Sequence, residues 1–151
     1  MGTDNPVAAT RTGGFALYPS LASFPLAFFL GALVTDLVYW RAPDAMWETF
    51  SVWLITAGLI MAGVSVVAAL IDIVRGLPGN PRRAPVWPGL LLTGVAFVLA
   101  LINAFVHSRD GYTAVVPTGL ILSVLVVAIL LCATAWTGRE AVYSHRVGDL
   151  N

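Results

Sequence analysis

The chain has 151 residues, 58% of them hydrophobic and only 11% charged, with a mean hydropathy of +0.86. A soluble domain carries about a quarter charged residues, so this composition excludes a water-facing surface around a modest core. Eight arginines balance eight acidic residues, which removes the basic patch that nucleic-acid binding needs, and the single cysteine, Cys132, excludes internal disulfides and cysteine-based metal sites.

Residues 1–14 are polar, carry Asp4 and Arg11, and lack the basic start and short apolar stretch of a cleaved signal peptide. They are expected to form a disordered tail. Four stretches without formal charge follow, 12–35, 49–71, 84–108 and 111–138. About 20 apolar residues span a hydrocarbon core. The pattern therefore predicts helices near 23–40, 50–74, 86–107 and 114–136, within a transmembrane domain over 15–137. The runs are too long for barrel strands and show no alternation of period two, and helices satisfy their own backbone in lipid.

The connections carry breakers. Arg41-Ala42-Pro43-Asp44 ends the first predicted helix, Gly76-Leu77-Pro78-Gly79-Asn80-Pro81 follows the second, and Ser108-Arg109-Asp110-Gly111 separates the third from the fourth. Links this short favour antiparallel neighbours. The fold class is an all-α membrane protein, a four-transmembrane-helix antiparallel bundle, closed by a short cytoplasmic C-terminal tail over 138–151. Trp40, Trp47, Trp87 and Trp136 fall near helix ends, at the headgroup level that tryptophan prefers. Arg11, Arg75, Arg82, Arg83, Arg139 and Arg146 share one side against Arg41 and Arg109 on the other. That bias predicts a cell (inner) membrane protein with both termini cytoplasmic.

Small residues recur at helical spacing and predict packing seams. These are Ala27, Gly31 and Thr35 on the first helix; Gly58, Ala62, Ser65 and Ala69 on the second; Gly89, Thr93, Ala96 and Ala100 on the third; and Ala128, Cys132 and Ala135 on the fourth. Leu90, Leu91, Leu125 and Val126 are expected to face lipid.

Polar groups are costly in a membrane and mark candidate sites. Asp36, Asn103 and His107 fall at the non-cytoplasmic ends of two parallel helices and could form one hydrogen-bonded cluster. Asp72 falls at the cytoplasmic end of the second helix, where Arg75 can reach it along the helix surface and Tyr18, Ser20 and His145 share its level. Each group reads either as a proton or ligand site or as an end-of-helix polar group satisfied by neighbours and interfacial water.

The order Tyr18-Pro19, Phe24-Pro25, Thr35-Asp36-Leu37, Gly58-Leu59, Ala68-Ala69-Leu70-Ile71-Asp72 and Asn103, with the closing run Gly138-Arg139-Glu140-Ala141-Val142-Tyr143-Ser144-His145-Arg146-Val147-Gly148, resembles an uncharacterised bacterial membrane family, domain of unknown function 2231. The resemblance runs from about Tyr18 onward and implies four transmembrane helices but no activity. Some members of that family are fused to Rieske-type iron–sulfur domains, which implies proximity to redox chemistry; this sequence contains no such domain. Members commonly carry His-Pro where Tyr18-Pro19 stands, and tyrosine does not replace histidine as a metal or haem ligand of equal strength.

Three functions remain in view. A non-catalytic interaction, assembly or small-molecule-binding component, with a protein partner or a second copy of the chain beside the lipid bilayer, needs only packed helices and a few polar groups. A proton or small-solute transporter would use Asp36, Asn103, His107 and Asp72, yet these lie at opposite faces with an apolar middle, and transport sites favour the midplane. A haem-linked redox protein needs two axial ligands, and His107 and His145 are expected on opposite sides. No cofactor or metal is predicted, and neither a GxSxG nor an HExxH motif occurs.

Overall fold

The computed structural model describes residues 17–75, 87–109 and 115–148, with the backbone alone described for Pro19, Trp87 and 139–148. The expected tail over 1–14 and the breaker cluster over 76–81 lie outside the described residues. A short helix α1 (Leu17–Leu21) precedes α2 (Phe24–Arg41), α3 (Ala45–Val74), α4 (Trp87–Ser108) and α5 (Leu120–Gly148). Four of these elements are long and apolar enough to cross a membrane, and the fold is an all-α transmembrane bundle.

Local chemistry sets the helix ends. Pro25 sits in the first turn of α2, where its missing N–H costs no hydrogen bond, so it starts the helix instead of opening a turn within it. Asp44 caps α3: its backbone is extended and its carboxylate accepts from the Met46 N–H at 2.8 Å. That cap starts α3 at Ala45 rather than near residue 50. At 30 residues, α3 is about 45 Å long, more than the roughly 30 Å of a hydrocarbon core. Ahead of α5, Val116 is extended (φ −119°, ψ 125°) within an irregular turn, Val115–Gly119, as the residue before a proline is disposed to be. At its other end α5 runs on to Gly148. The lone Gly138 does not end it, and residues 139–142 (Arg, Glu, Ala, Val) contain no breaker.

The long helices form a ring in which α2 packs on α3, α3 on α4, α4 on α5 and α5 back on α2. α2 and α4 thus stand on a diagonal. The middle of the ring is apolar and closed. Phe29, Ala32, Ile55, Ala100, Val126 and Val127 make its core, with Leu33, Leu54, Leu59, Leu99, Ala104 and Leu130 against it. Small side chains on the diagonal helices, Ala32 and Ala100, accommodate the larger Ile55 and Val126.

Of the expected seams, Thr35, Gly58, Ser65, Gly89, Ala96 and Ala100 are buried; Gly31, Ala62 and Ala69 are half-buried; Ala27 and Thr93 are exposed. The fourth helix departs from expectation. Ala128, Cys132 and Ala135 face outward, whereas Val126, expected to face lipid, is 1% exposed. The inward face of α5 carries Ser123, Val126, Val127 and Ala133. Small residues on a helix do not by themselves say which way they face. Leu90, Leu91 and Leu125 are exposed on the outer surface.

One close approach depends on glycine. The Phe29 ring lies against Gly58, where an added Cβ would meet Phe29 Cε1 at 2.8 Å, while a Cβ on Gly63 would meet nothing within 4 Å. Gly58→Ala is expected to destabilise the bundle by about 1–3 kcal/mol through overpacking. Gly63→Ala, with only helix propensity changed, is expected to be neutral or to stabilise by up to about 1 kcal/mol. Thermal unfolding of both variants in detergent checks the contrast.

Candidate functional site

Asp36 lies in the last turns of α2, and every neighbouring helix sends a donor to it. Its side chain is fully buried, so the carboxylate must be satisfied from within the protein. From α3, Ser51 Oγ donates to Oδ1 at 2.5 Å. From α5, Ser123 Oγ donates to Oδ2 at 2.6 Å. Across the diagonal, His107 Nε2 of α4 lies 3.1 Å from Oδ1. Helices that touch little elsewhere are thereby joined through one acid–imidazole contact.

Proton counting fixes the orientations. His107 Nδ1 lies 3.0 Å from the Asn103 carbonyl; a carbonyl only accepts, so Nδ1 carries a proton. One further proton occupies the Nε2–Oδ1 contact, whether it rides on the imidazole or on the carboxyl. The pair is therefore formally neutral in either arrangement. Ser123 gives its only proton to Asp36, so it must accept from the Asn103 amide. That turns Nδ2 toward Ser123 Oγ, at 2.8 Å, and leaves Asn103 Oδ1 buried without a partner among the described residues. Thr35 Oγ1 lies 2.6 Å from Ser51 Oγ and 2.8 Å from the Ala32 carbonyl, so its one proton has two acceptors within reach.

The backbone makes room for this arrangement at Gly119. A Cβ there would meet His107 Cε1 at 2.5 Å and Nδ1 at 3.1 Å. The imidazole thus lies flush against the turn that leads into α5, which holds Nε2 toward Asp36.

Asp72, at the other end of the bundle, serves a different purpose. Its Oδ1 accepts from the Leu17 N–H at 3.1 Å and its Oδ2 from the Tyr18 N–H at 2.8 Å. The first N–H groups of a helix lack intrahelical partners, and Asp72 satisfies two of those of α1. Ser65 Oγ lies 3.2 Å from the Leu21 carbonyl at the far end of α1. α1 is therefore held to α3 at both termini. No ion pair joins Asp72 to Arg75 among the described residues; the backbone of α1 occupies the carboxylate instead. Tyr18 meets Asp72 through its amide, and its side chain is exposed. The side chain of His145 lies outside the described residues.

The structure thus brings Asp36, Asn103 and His107 into one cluster and adds Ser51, Ser123 and Thr35, of which sequence reading gave only Thr35, as a packing residue. The signal for Ser51 is its position at the same end as Asp36 on the next helix. Among the described residues no group of three or more His, Cys, Asp and Glu side chains could hold a metal ion. An open groove lined by Val34, Leu37, Trp40 and Arg41, with the Arg41 guanidinium 5.8 Å from the Trp40 ring, contains none of the cluster residues.

The family described as "Predicted membrane protein (DUF2231)" matches residues 14–151. The chain belongs to this family. No curated protein and no solved structure matches it. Membership agrees with a membrane protein and assigns no activity to the chain.

Breaking a buried pair leaves a polar group uncompensated and costs about 3–5 kcal/mol. Asp36→Ala and His107→Ala are each expected to destabilise by about that much. The double variant is expected to lose clearly less than their sum, because the two groups share one contact. A double-mutant cycle on thermal or denaturant unfolding in detergent checks this, and strict additivity would show that the pair is not coupled.

Proposed function

We propose that this DUF2231 protein is a non-catalytic component of the bacterial inner membrane, with both termini in the cytoplasm, that acts by binding a small ligand or a partner and not by conducting solutes. The observation that carries this reading is the closed apolar middle. Phe29, Ile55, Ala100, Val126 and Val127 fill the bundle between the Asp36 cluster and Asp72. A proton or ion crossing one chain would have to traverse that packing without a polar partner, which lipid-like surroundings penalise heavily. Asp72 is occupied by helix α1, which further favours an anchoring role for it over a relay.

The same geometry speaks against a haem role for His107, because Nε2 faces Asp36 and Nδ1 faces the Asn103 carbonyl. Neither nitrogen points out of the bundle toward a cofactor. The six-to-two distribution of arginines supports the orientation. The outward-facing apolar surface, which includes Trp53, Ile73, Leu90 and Phe105, suits lipid or a neighbouring apolar helix.

Proteoliposomes carrying an imposed pH gradient test the reading. The wild-type protein is expected to leave proton leakage at the protein-free level, and Asp36→Asn and Asp72→Asn to change nothing. A protein-dependent flux abolished by Asp36→Asn would replace the binding role with a transport role.

A further inference from the structure

We propose that the groove at the end of α2 is a site for one anionic glycerophospholipid, with its phosphate on Arg41 and an acyl chain along Val34, Leu37 and Val38. The direction of the groove is the first reason. Val34, Leu37, Val38, Trp40, Arg41 and Ala42 line it. Val34, Leu37, Val38 and Arg41 recur at helical spacing and form one stripe along α2. That stripe lies opposite the buried face of the helix, which carries Phe29, Ala32, Asp36 and Tyr39. From Val34 to Arg41 it runs about 10 Å, most of the roughly 15 Å depth of one leaflet's hydrocarbon. Its apolar end lies toward the middle of α2, and its charged end is the last turn. A phospholipid in the bilayer has the same polarity, chain inward and phosphate outward.

Charge is the second reason, and it is independent of the first. Arg41 is exposed. Among the described residues its guanidinium meets the Trp40 ring, 5.8 Å from the centroid, and no carboxylate. Asp44, the acidic residue nearest to it in sequence, uses its carboxylate to cap α3 through the Met46 N–H. An aromatic face holds a cation in place without neutralising it. The backbone adds little, because the Ala42 N–H is bonded to the Val38 carbonyl. Arg41 therefore supplies the donors, in the planar fork that matches phosphate oxygens. The Trp40 indole N–H is a further donor at the headgroup level.

The headgroup decides which lipid. A zwitterionic headgroup brings its own ammonium to its phosphate. Phosphatidylglycerol brings none, so its phosphate gains more from a charge-assisted contact with Arg41. The site goes beyond the binding role proposed above, and it does not depend on which face of the protein is cytoplasmic.

Native mass spectrometry of the purified full-length protein in detergent provides the test, with phosphatidylglycerol titrated against phosphatidylcholine of the same chains. One phosphatidylglycerol per chain is expected to bind at least about fivefold more tightly than phosphatidylcholine. Arg41→Gln is expected to remove that preference. Arg109→Gln, which neutralises another exposed arginine at the same end, is expected to keep it. Val34→Trp fills the groove without changing charge and is expected to weaken the binding of both lipids. Glycerol 3-phosphate, a phosphate without chains, is expected not to displace the lipid. All three substituted residues are exposed, so the variants are expected to fold, and the wild-type preference is read without them. Equal affinity of the wild type for the two lipids, a preference that survives Arg41→Gln or is lost equally in Arg109→Gln, binding unaffected by Val34→Trp, or displacement by glycerol 3-phosphate would overturn the proposal.

Discussion

A carboxylate buried in a membrane bundle must find donors inside the protein, and the Asp36 carboxylate finds them on three other helices. Ser51, Ser123 and His107 each bring a different element to the same two oxygens. Apolar side chains alone hold membrane helices together weakly, because lipid solvates them as well as protein does. Directional contacts to one acid therefore do what burial does in water: they select one arrangement of the four helices. The diagonal contact from α2 to α4 is the most telling, since those helices lie opposite one another in the ring.

Other features at this end follow from that acid. Gly119 is needed because the imidazole lies on the backbone there. The rotation of α5 is constrained because Ser123 must reach Oδ2, and that rotation sends Val126 inward and Cys132 outward. Asn103 supports the cluster twice, through its carbonyl to His107 and its amide to Ser123. At the opposite end Asp72 solves the same problem differently, by taking backbone donors from α1. The two buried carboxylates are thus one inter-helix knot and one helix anchor.

Much of this was legible in the sequence. Four charge-free stretches specify four spans, and the parallel course of the first and third predicted helices puts Asp36 level with Asn103 and His107. The serines are not legible, because a hydroxyl side chain in a membrane helix commonly bonds its own preceding turn, as Thr56 does with Val52, and only the rotation of each helix distinguishes that from a contact across the bundle. The rotation of α5 is constrained by the contact from Ser123 to Asp36, which hydrophobic periodicity does not encode, so its small-residue stripe does not show which face is buried. Asp72 showed the converse difficulty: Arg75 is its obvious partner along the helix, but unpaired N–H groups at the start of α1 compete for the same carboxylate and occupy it.

The central claim is that His107 lies between the Asn103 carbonyl and Asp36, with Nδ1 always protonated and one proton shared at Nε2. Nitrogen-15 solid-state NMR of labelled histidine in lipid bilayers observes both ring nitrogens directly. The account predicts a protonated Nδ1 for His107 and a cross-peak linking its ring to the Asp36 carboxyl carbon. A bare Nδ1, or a ring with no contact to Asp36, would contradict it.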